Sequence, residues 1–282
     1  MAGTHEVRLH GDGIDFGNLS GLAGHWQGGN GFNMIAVPNQ NGGFGLLVAP
    51  YSETLIINKV PATTPNRGMQ VIENLPTLQY STTITVLDVG SLMHVEGGFW
   101  ELSDPSLNDG FDVFRIASVP HGNAVEAMGI SSRAAGRPNI DTTLNGEPTG
   151  DIPPGQKAGY MDEYIGRPAY PNFSPVHPNA TLIKHLDDQE ANGLIVTETV
   201  TLQVSTTNKG GISNIASMQG PVTPTRFDAT FWIETLQDRE GHVYRQLQYS
   251  QRTLLEFPVK ADLPGQTIVW PHINVNSLTA VT

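Results

Sequence analysis

Alternation of side-chain character with period two constrains this chain more than any other feature. Residues 77–87 read Thr-Leu-Gln-Tyr-Ser-Thr-Thr-Ile-Thr-Val-Leu, and 194–205 read Leu-Ile-Val-Thr-Glu-Thr-Val-Thr-Leu-Gln-Val-Ser. Successive residues of a strand face opposite sides of a sheet, so such runs are half-buried strands. Further strands are expected over 31–38, 44–50, 53–59, 91–101, 111–119, 124–130, 227–237, 243–257 and 268–278, about eleven in all. Connectors as short as Asn41-Gly42-Gly43 and Asp238-Arg239-Glu240-Gly241 suit antiparallel neighbours. A parallel pair would need a crossover of about a dozen residues or more. No stretch of helical period exceeds about two or three turns. The chain is expected to be all-β.

A sheet of so many strands must manage its edges, either as a sandwich or by closing on itself. The meandering order, with few long crossings, predicts a single, roughly ten-stranded antiparallel up-and-down barrel over residues 1–282. The exception is 131–180, which holds Pro138, Pro148, Pro153, Pro154, Pro168, Pro171, Pro175 and Pro178. An irregular stretch of that length is usually a lid or a linker. As a linker it would leave about five or six strands on each side. We therefore read it as a Pro/Gly-rich excursion or lid packed over one end of the barrel.

Charge and composition remove several function classes. Net charge is −12, and the 15 Lys and Arg residues are scattered rather than gathered in a stripe, so nucleic acid is not an expected partner. The absence of cysteine excludes disulfides, zinc–thiolate sites, iron–sulfur clusters and thiol catalysis. No apolar run approaches the ~20 residues of a membrane-spanning helix. The start, Met1-Ala2-Gly3-Thr4-His5-Glu6, lacks the basic and apolar regions of a secretory signal, so a cytoplasmic protein with no membrane partner is expected. A homodimer is left open.

Chemistry then rests on histidines, carboxylates and tyrosines. No Gly-x-Ser-x-Gly elbow, His-Glu-x-x-His pair or Walker loop is present. Gly28-Gly29-Asn30-Gly31 is followed by no helical pattern, and reads as a bulge or tight bend rather than a phosphate cradle. His94 and Glu96 share one strand face in Leu92-Met93-His94-Val95-Glu96, where a carboxylate could orient the imidazole; an exposed polar face is the plainer reading. His121 falls in the turn Val119-Pro120-His121-Gly122-Asn123, aimed at a barrel mouth or simply solvated. His272 shares a face with Trp270, Asn274 and Asn276, opposite Ile273 and Val275, so periodicity alone turns it outward unless Pro271 introduces a bulge. His25 sits beside Trp26, and His5, His10, His177, His185 and His242 read as solvated. None of these spacings makes a multi-ligand mononuclear site. Haem needs only one protein ligand and an apolar slot, and Phe99, Trp100, Phe111, Phe114, Phe231, Trp232 and Tyr249 could line one or merely fill a core.

The segment Gly21–Asn33, with Gly24-His25-Trp26 and its spaced glycines, resembles the opening strand of nitrobindin-type barrels. His94-Val95-Glu96-Gly97-Gly98-Phe99-Trp100, Val119-Pro120-His121-Gly122, Asp228–Thr235, Gln246–Gln251 and Trp270-Pro271-His272 look like segments of the longer haem peroxidases of fatty-acid-binding-protein type, in the same order from about 20 to 278. The resemblance implies a calycin-like (lipocalin-like) barrel holding a b-type haem (heme b). By position it points to His272 as the axial ligand to the iron, flanked by Trp270, with His121 and His94 as alternatives for axial or distal duty. In other haem peroxidases a distal base works with an arginine, and Arg115 is the nearest match, with His94 as the base.

The expected function is haem binding with peroxide or nitrogen-oxide chemistry at a histidine-ligated iron. A metal-free carrier of a fatty acid or similar apolar molecule in the same barrel is the rival. A third reading is a metal-free enzyme using Glu96 and His94 as acid and base.

Overall fold

The computed structural model describes residues 13–38, 44–66, 73–150, 170–219, 222–258 and 267–281. In chain order the strands are β1 (Gly24–Pro38), β2 (Phe44–Lys59), the two-residue β3 (Thr64–Pro65) and β4 (Asn74–Leu75), β5 (Thr77–Val86), β6 (Leu92–Leu102) and β7 (Val113–Val119). There follow β8 (Asn123–Ala135), the two-residue β9 (Thr149–Gly150), β10 (Ile195–Asn214), β11 (Thr223–Gln237), β12 (Val243–Pro258) and β13 (Thr267–Val281). Helix α1 (Ala180–Ala191) precedes β10, and the single-turn α2 (Ala216–Gln219) follows it. Neither is long and apolar enough to cross a membrane.

The ladder runs β1-β2-β5-β6-β7-β8-β10-β11-β12-β13, and β13 pairs back onto β1 with His25 opposite Val281 and Met34 opposite Ile273. The fold is thus the all-β, closed ten-stranded antiparallel barrel of calycin type that the alternation led us to expect. Closure abolishes both sheet edges. Gly98 and Gly129 sit where neighbouring strands approach closely. A Cβ on the first would lie 2.0 Å from the Ile116 carbonyl oxygen, and on the second 1.7 Å from that of Gln203. The run Gly28–Gly31 is the expected bulge, and both ladders of β1 slip across it.

Two elements differ from the sequence reading. Segments 44–50 and 53–59 are one strand, β2, despite Pro50. The Pro50 carbonyl accepts from Leu87 N at 3.1 Å, so its nitrogen faces the β5 side too; β5 has already ended there at Val86, opposite Tyr51. The missing N–H therefore costs no ladder bond. Helix α1 has 12 residues where no helix was expected. Its apolar face is narrow, essentially Leu182, Ile183 and Leu186.

Strand parity sorts the side chains into an inside and an outside. One end of the barrel is closed by the N-terminal turn, whose Phe16, Leu19 and Leu22 pack with Trp26, Leu78, Trp100, Val113 and Leu247. Trp26 Nε1 donates to the Leu22 carbonyl at 2.9 Å and pins that turn in place. The outside is also covered on one wall. Leu182 and Leu186 of α1, with Ile140 and Phe173 of the excursion, pack on Met34, Trp232, Leu236, Ile273 and Val275. The described residues of 131–180 therefore begin as the end of β8 and continue along the outer wall; none lines the cavity below. Residues 151–169 of that excursion lie outside the described residues.

Candidate functional site

The open end of the barrel leads into a cavity of about 530 Å3, within the roughly 300–1,000 Å3 of small-molecule sites. Its inward-facing residues come from nearly every strand, and many are polar. On β6 the period of two points His94, Glu96 and Trp100 inward together; β7 adds Arg115 and Val119. The β7–β8 turn brings His121 over the mouth, its ring 5.4 Å from that of His94. On β13, four strands round the barrel from β6, His272 and Asn274 also face inward.

The inward placement of His272 corrects the outward facing that periodicity alone suggested. Alternation separates the two faces of β13 but does not say which is inside. Ile273 and Val275 are apolar because the outer wall is buried under α1 and the excursion, which leaves the polar face for the cavity. Pro271 introduces no slip, since β12 and β13 pair without interruption from Thr267 to Thr279.

His272 Nε2 donates to Asn33 Oδ1 at 2.6 Å, which fixes the ring. Burial, with smaller contributions from the fields of His94 and His121, holds the His272 imidazole down to about 4, so it is neutral at pH 7. Burial and the nearby His94 also lower His121. His94 Nε2 stands 3.4 Å from Glu96 Oε2.

Deeper in the cavity Arg115 is buried and fully engaged. Its Nη2 donates to Glu96 Oε1 at 2.6 Å, its Nη1 to Gln251 Oε1 at 2.6 Å and its Nε to Tyr80 Oη at 3.2 Å. The guanidinium lies 5.1–5.6 Å from the ring centres of Tyr80, Trp100, Phe227 and Phe231. Burial would raise the Glu96 carboxyl, but Arg115, aided by His94 and Tyr80, outweighs it and holds the group down to about 2. Glu96 is therefore ionised and cannot act as an acid, which removes that role from the metal-free enzyme reading.

Sequence reasoning missed a second carboxylate, Glu53 on β2. It accepts from Thr82 Oγ1 at 2.8 Å, Tyr249 Oη at 2.6 Å and Asn276 Nδ2 at 2.9 Å. Burial pushes its carboxyl up. The available signal was a charge at the parity of Leu55 and Ile57, on a face that otherwise reads as core.

The cavity thus gathers His94, His121, His272 and Arg115, four of the five residues singled out from the sequence. The fifth, Trp270, is buried with Leu255, Phe257 and Ile268 and is not among the residues lining the cavity. His25, His177 and His242 are exposed, whereas His185, expected to be solvated, is half-buried on α1 against Gln246. Among the described residues the only cluster whose ligand atoms lie within 4.8 Å of one another is Asp238, Glu240 and His242, in the β11–β12 turn. The three cavity imidazoles do not converge on one ion.

Fold and cavity together define a calycin-type barrel with histidines round its mouth. No family model matches the chain, and no curated protein matches it. Among solved structures it is similar to the crystal structure of Rv2717c from M. tuberculosis, at 15% identity and a TM-score of 0.45, over 94% of this chain and 95% of that one. The barrel assignment stands on the strand pairing described above.

Proposed function

We propose that the cavity holds one b-type haem and carries out peroxide or nitrogen-oxide chemistry at its iron. The observation behind this reading is that His94, His121 and His272, far apart in sequence, line one cavity together with Trp100, Phe231 and Tyr249. The donor set fits such a group. An imidazole binds iron in its neutral form, and burial keeps His272 neutral. Its Nε2–H is committed to Asn33, so the lone pair on Nδ1 is the one free for a metal, with the ring already oriented.

Bound haem would supply a redox-active iron. The chain would supply the rest. Trp100 and Phe231 exclude water from the floor, and Glu96 holds a proton at His94 Nε2, within reach of the mouth. Arg115 is held in the wall as an ion pair with Glu96, and its bonds to Gln251 and Tyr80 fix the position of that pair.

The fatty-acid carrier is disfavoured by charge. Arg115 is the only Lys or Arg among the described residues lining the cavity, and Glu96 already neutralises it. Glu53 adds a second acid, so a carboxylate lying deep in the cavity would find no free cation, and the two propionates of a haem would have to lie at the mouth, in solvent.

Titration of the purified protein with hemin is expected to give a sharp Soret band that saturates at one haem per chain. His272→Ala should weaken haem binding by about 100-fold, near 2.7 kcal/mol, and Asn33→Ala by about 10- to 100-fold through loss of ring orientation. A broad band from adsorbed hemin, or unchanged affinity after all three histidines are replaced together, would refute the reading.

A further inference from the structure

Two tyrosine–carboxylate pairs line the same cavity, in opposite electrostatic settings. Tyr80 donates to Glu96 Oε1, but Arg115 donates to both partners, to the phenol oxygen at 3.2 Å and to the carboxylate at 2.6 Å. Tyr249 donates to Glu53 Oε2 at 2.6 Å, and the other groups bonded to Glu53, Asn276 and Thr82, are neutral. These are bonds that an ionised carboxylate accepts.

Losing an electron makes a phenol strongly acidic, so a tyrosine is readily oxidised only when a positioned base takes its proton. A guanidinium on the phenol oxygen opposes electron loss, and a carboxylate that it has neutralised is a poor proton acceptor. Tyr80 suffers both effects and Tyr249 neither. Consistently, Glu96 is held down to about 2 whereas burial raises Glu53.

We propose that Tyr249 and Glu53 form a redox-active pair. When peroxide oxidises the cofactor in the cavity, Tyr249 passes it one electron and passes its phenolic proton to Glu53 Oε2. The tyrosine becomes a neutral radical, Glu53 becomes a carboxylic acid, and the oxidised cofactor is reduced by one electron. The proposal rests on the haem reading for its oxidant and adds the residue that delivers the electron.

The surroundings suit the role. The Tyr249 ring stacks on Phe231 at 5.2 Å, and Phe231 meets Trp100 edge-on at 5.1 Å, so the pair belongs to one aromatic wall. Tyr51 Oη stands 2.7 Å from Tyr249 Oη and extends the hydrogen-bonded chain.

Hemin-loaded protein is mixed with one equivalent of hydrogen peroxide, freeze-quenched and examined by electron paramagnetic resonance. A tyrosyl signal, scaled to the haem bound in each protein as read from its Soret band, is expected in the wild type and in Tyr80→Phe, absent in Tyr249→Phe, and at least tenfold weaker in Glu53→Gln. An undiminished signal in Tyr249→Phe, or none in the wild type despite a normal Soret band, would overturn the pair. If hemin does not bind, the haem reading fails and the pair is tested in the apo protein with photogenerated ruthenium(III) tris-bipyridine. Tyrosyl formation at least tenfold slower in both Tyr249→Phe and Glu53→Gln supports the pair, and equal rates overturn it.

Discussion

Arg115→Met should destabilise the protein by about 3–5 kcal/mol, because it leaves the buried Glu96 carboxylate without its cation. In the wild type Arg115 holds Glu96 down to about 2 from an ordinary 4.5. The sign of the linkage follows. The contribution is fully present above pH 4.5 and is lost as pH falls through 2, since the unfolded chain takes up the proton first. By that shift the contribution is about 3 kcal/mol. In Arg115→Met the carboxyl is protonated at much higher pH, and the acid limb of the stability profile moves up accordingly.

Removing both charges is a different experiment from removing one. A buried ion pair replaced by side chains of similar volume is often neutral in stability, since two desolvated ions are lost together. Arg115→Met with Glu96→Gln should therefore recover most of what Arg115→Met alone loses. Urea unfolding at pH 7 checks both statements. A single variant within 1 kcal/mol of wild type, or a double variant no better than the single, would show that the pair does not hold this part of the wall.

Stability should also fall as pH rises from about 5 to 8, through Glu234 on the outer wall. This residue is completely buried beneath α1, and only one of its oxygens has a partner, Gln246 Nε2 at 2.6 Å. Gln246 is in turn held by His185 Nε2 at 3.1 Å and Gln189 Nε2 at 2.7 Å, both from α1. Burial pushes the Glu234 carboxyl up to about 8, against smaller opposing contributions from Gln246 and Arg137. Its contribution is fully present below 4.5, where both states are protonated, and is lost as pH rises through 8. The shift corresponds to about 5 kcal/mol across that range.

His185, also facing this space, is lowered by burial. His272 acts in the opposite direction below pH 6.5, so only a difference isolates Glu234. Glu234→Gln keeps the acceptor for Gln246 but buries an amide N–H₂, at a cost of about 1–3 kcal/mol. The variant should gain on wild type steadily with pH and exceed it by about 2–4 kcal/mol at pH 9. Urea unfolding at pH 5, 7 and 9 reads this directly, and a difference that does not change with pH would refute the assignment.

The order of strands, their antiparallel pairing and the single barrel were all legible in the sequence, because a period of two and short connectors admit few other architectures. The sequence also singled out His94, His121 and His272 by their places in or beside the strands, and the resemblance to haem peroxidases added Arg115. It could not show that they share a cavity. Convergence depends on barrel closure, β13 onto β1, a contact between residues some 240 apart in the chain.

Alternation divides a strand into two faces but does not say which is inside. On β13 the more apolar face is the outer one, because α1 and the excursion bury it. The same blindness hid Glu53, whose charge is tolerated in the core only because Tyr249, Asn276 and Thr82 arrive from three other strands to donate to it. Local pattern sets the strands and their two faces through backbone geometry. Which face meets the ligand space, and which buried charges are partnered there, was decided by long-range packing, since the desolvation that selects between them exists only once the barrel is closed.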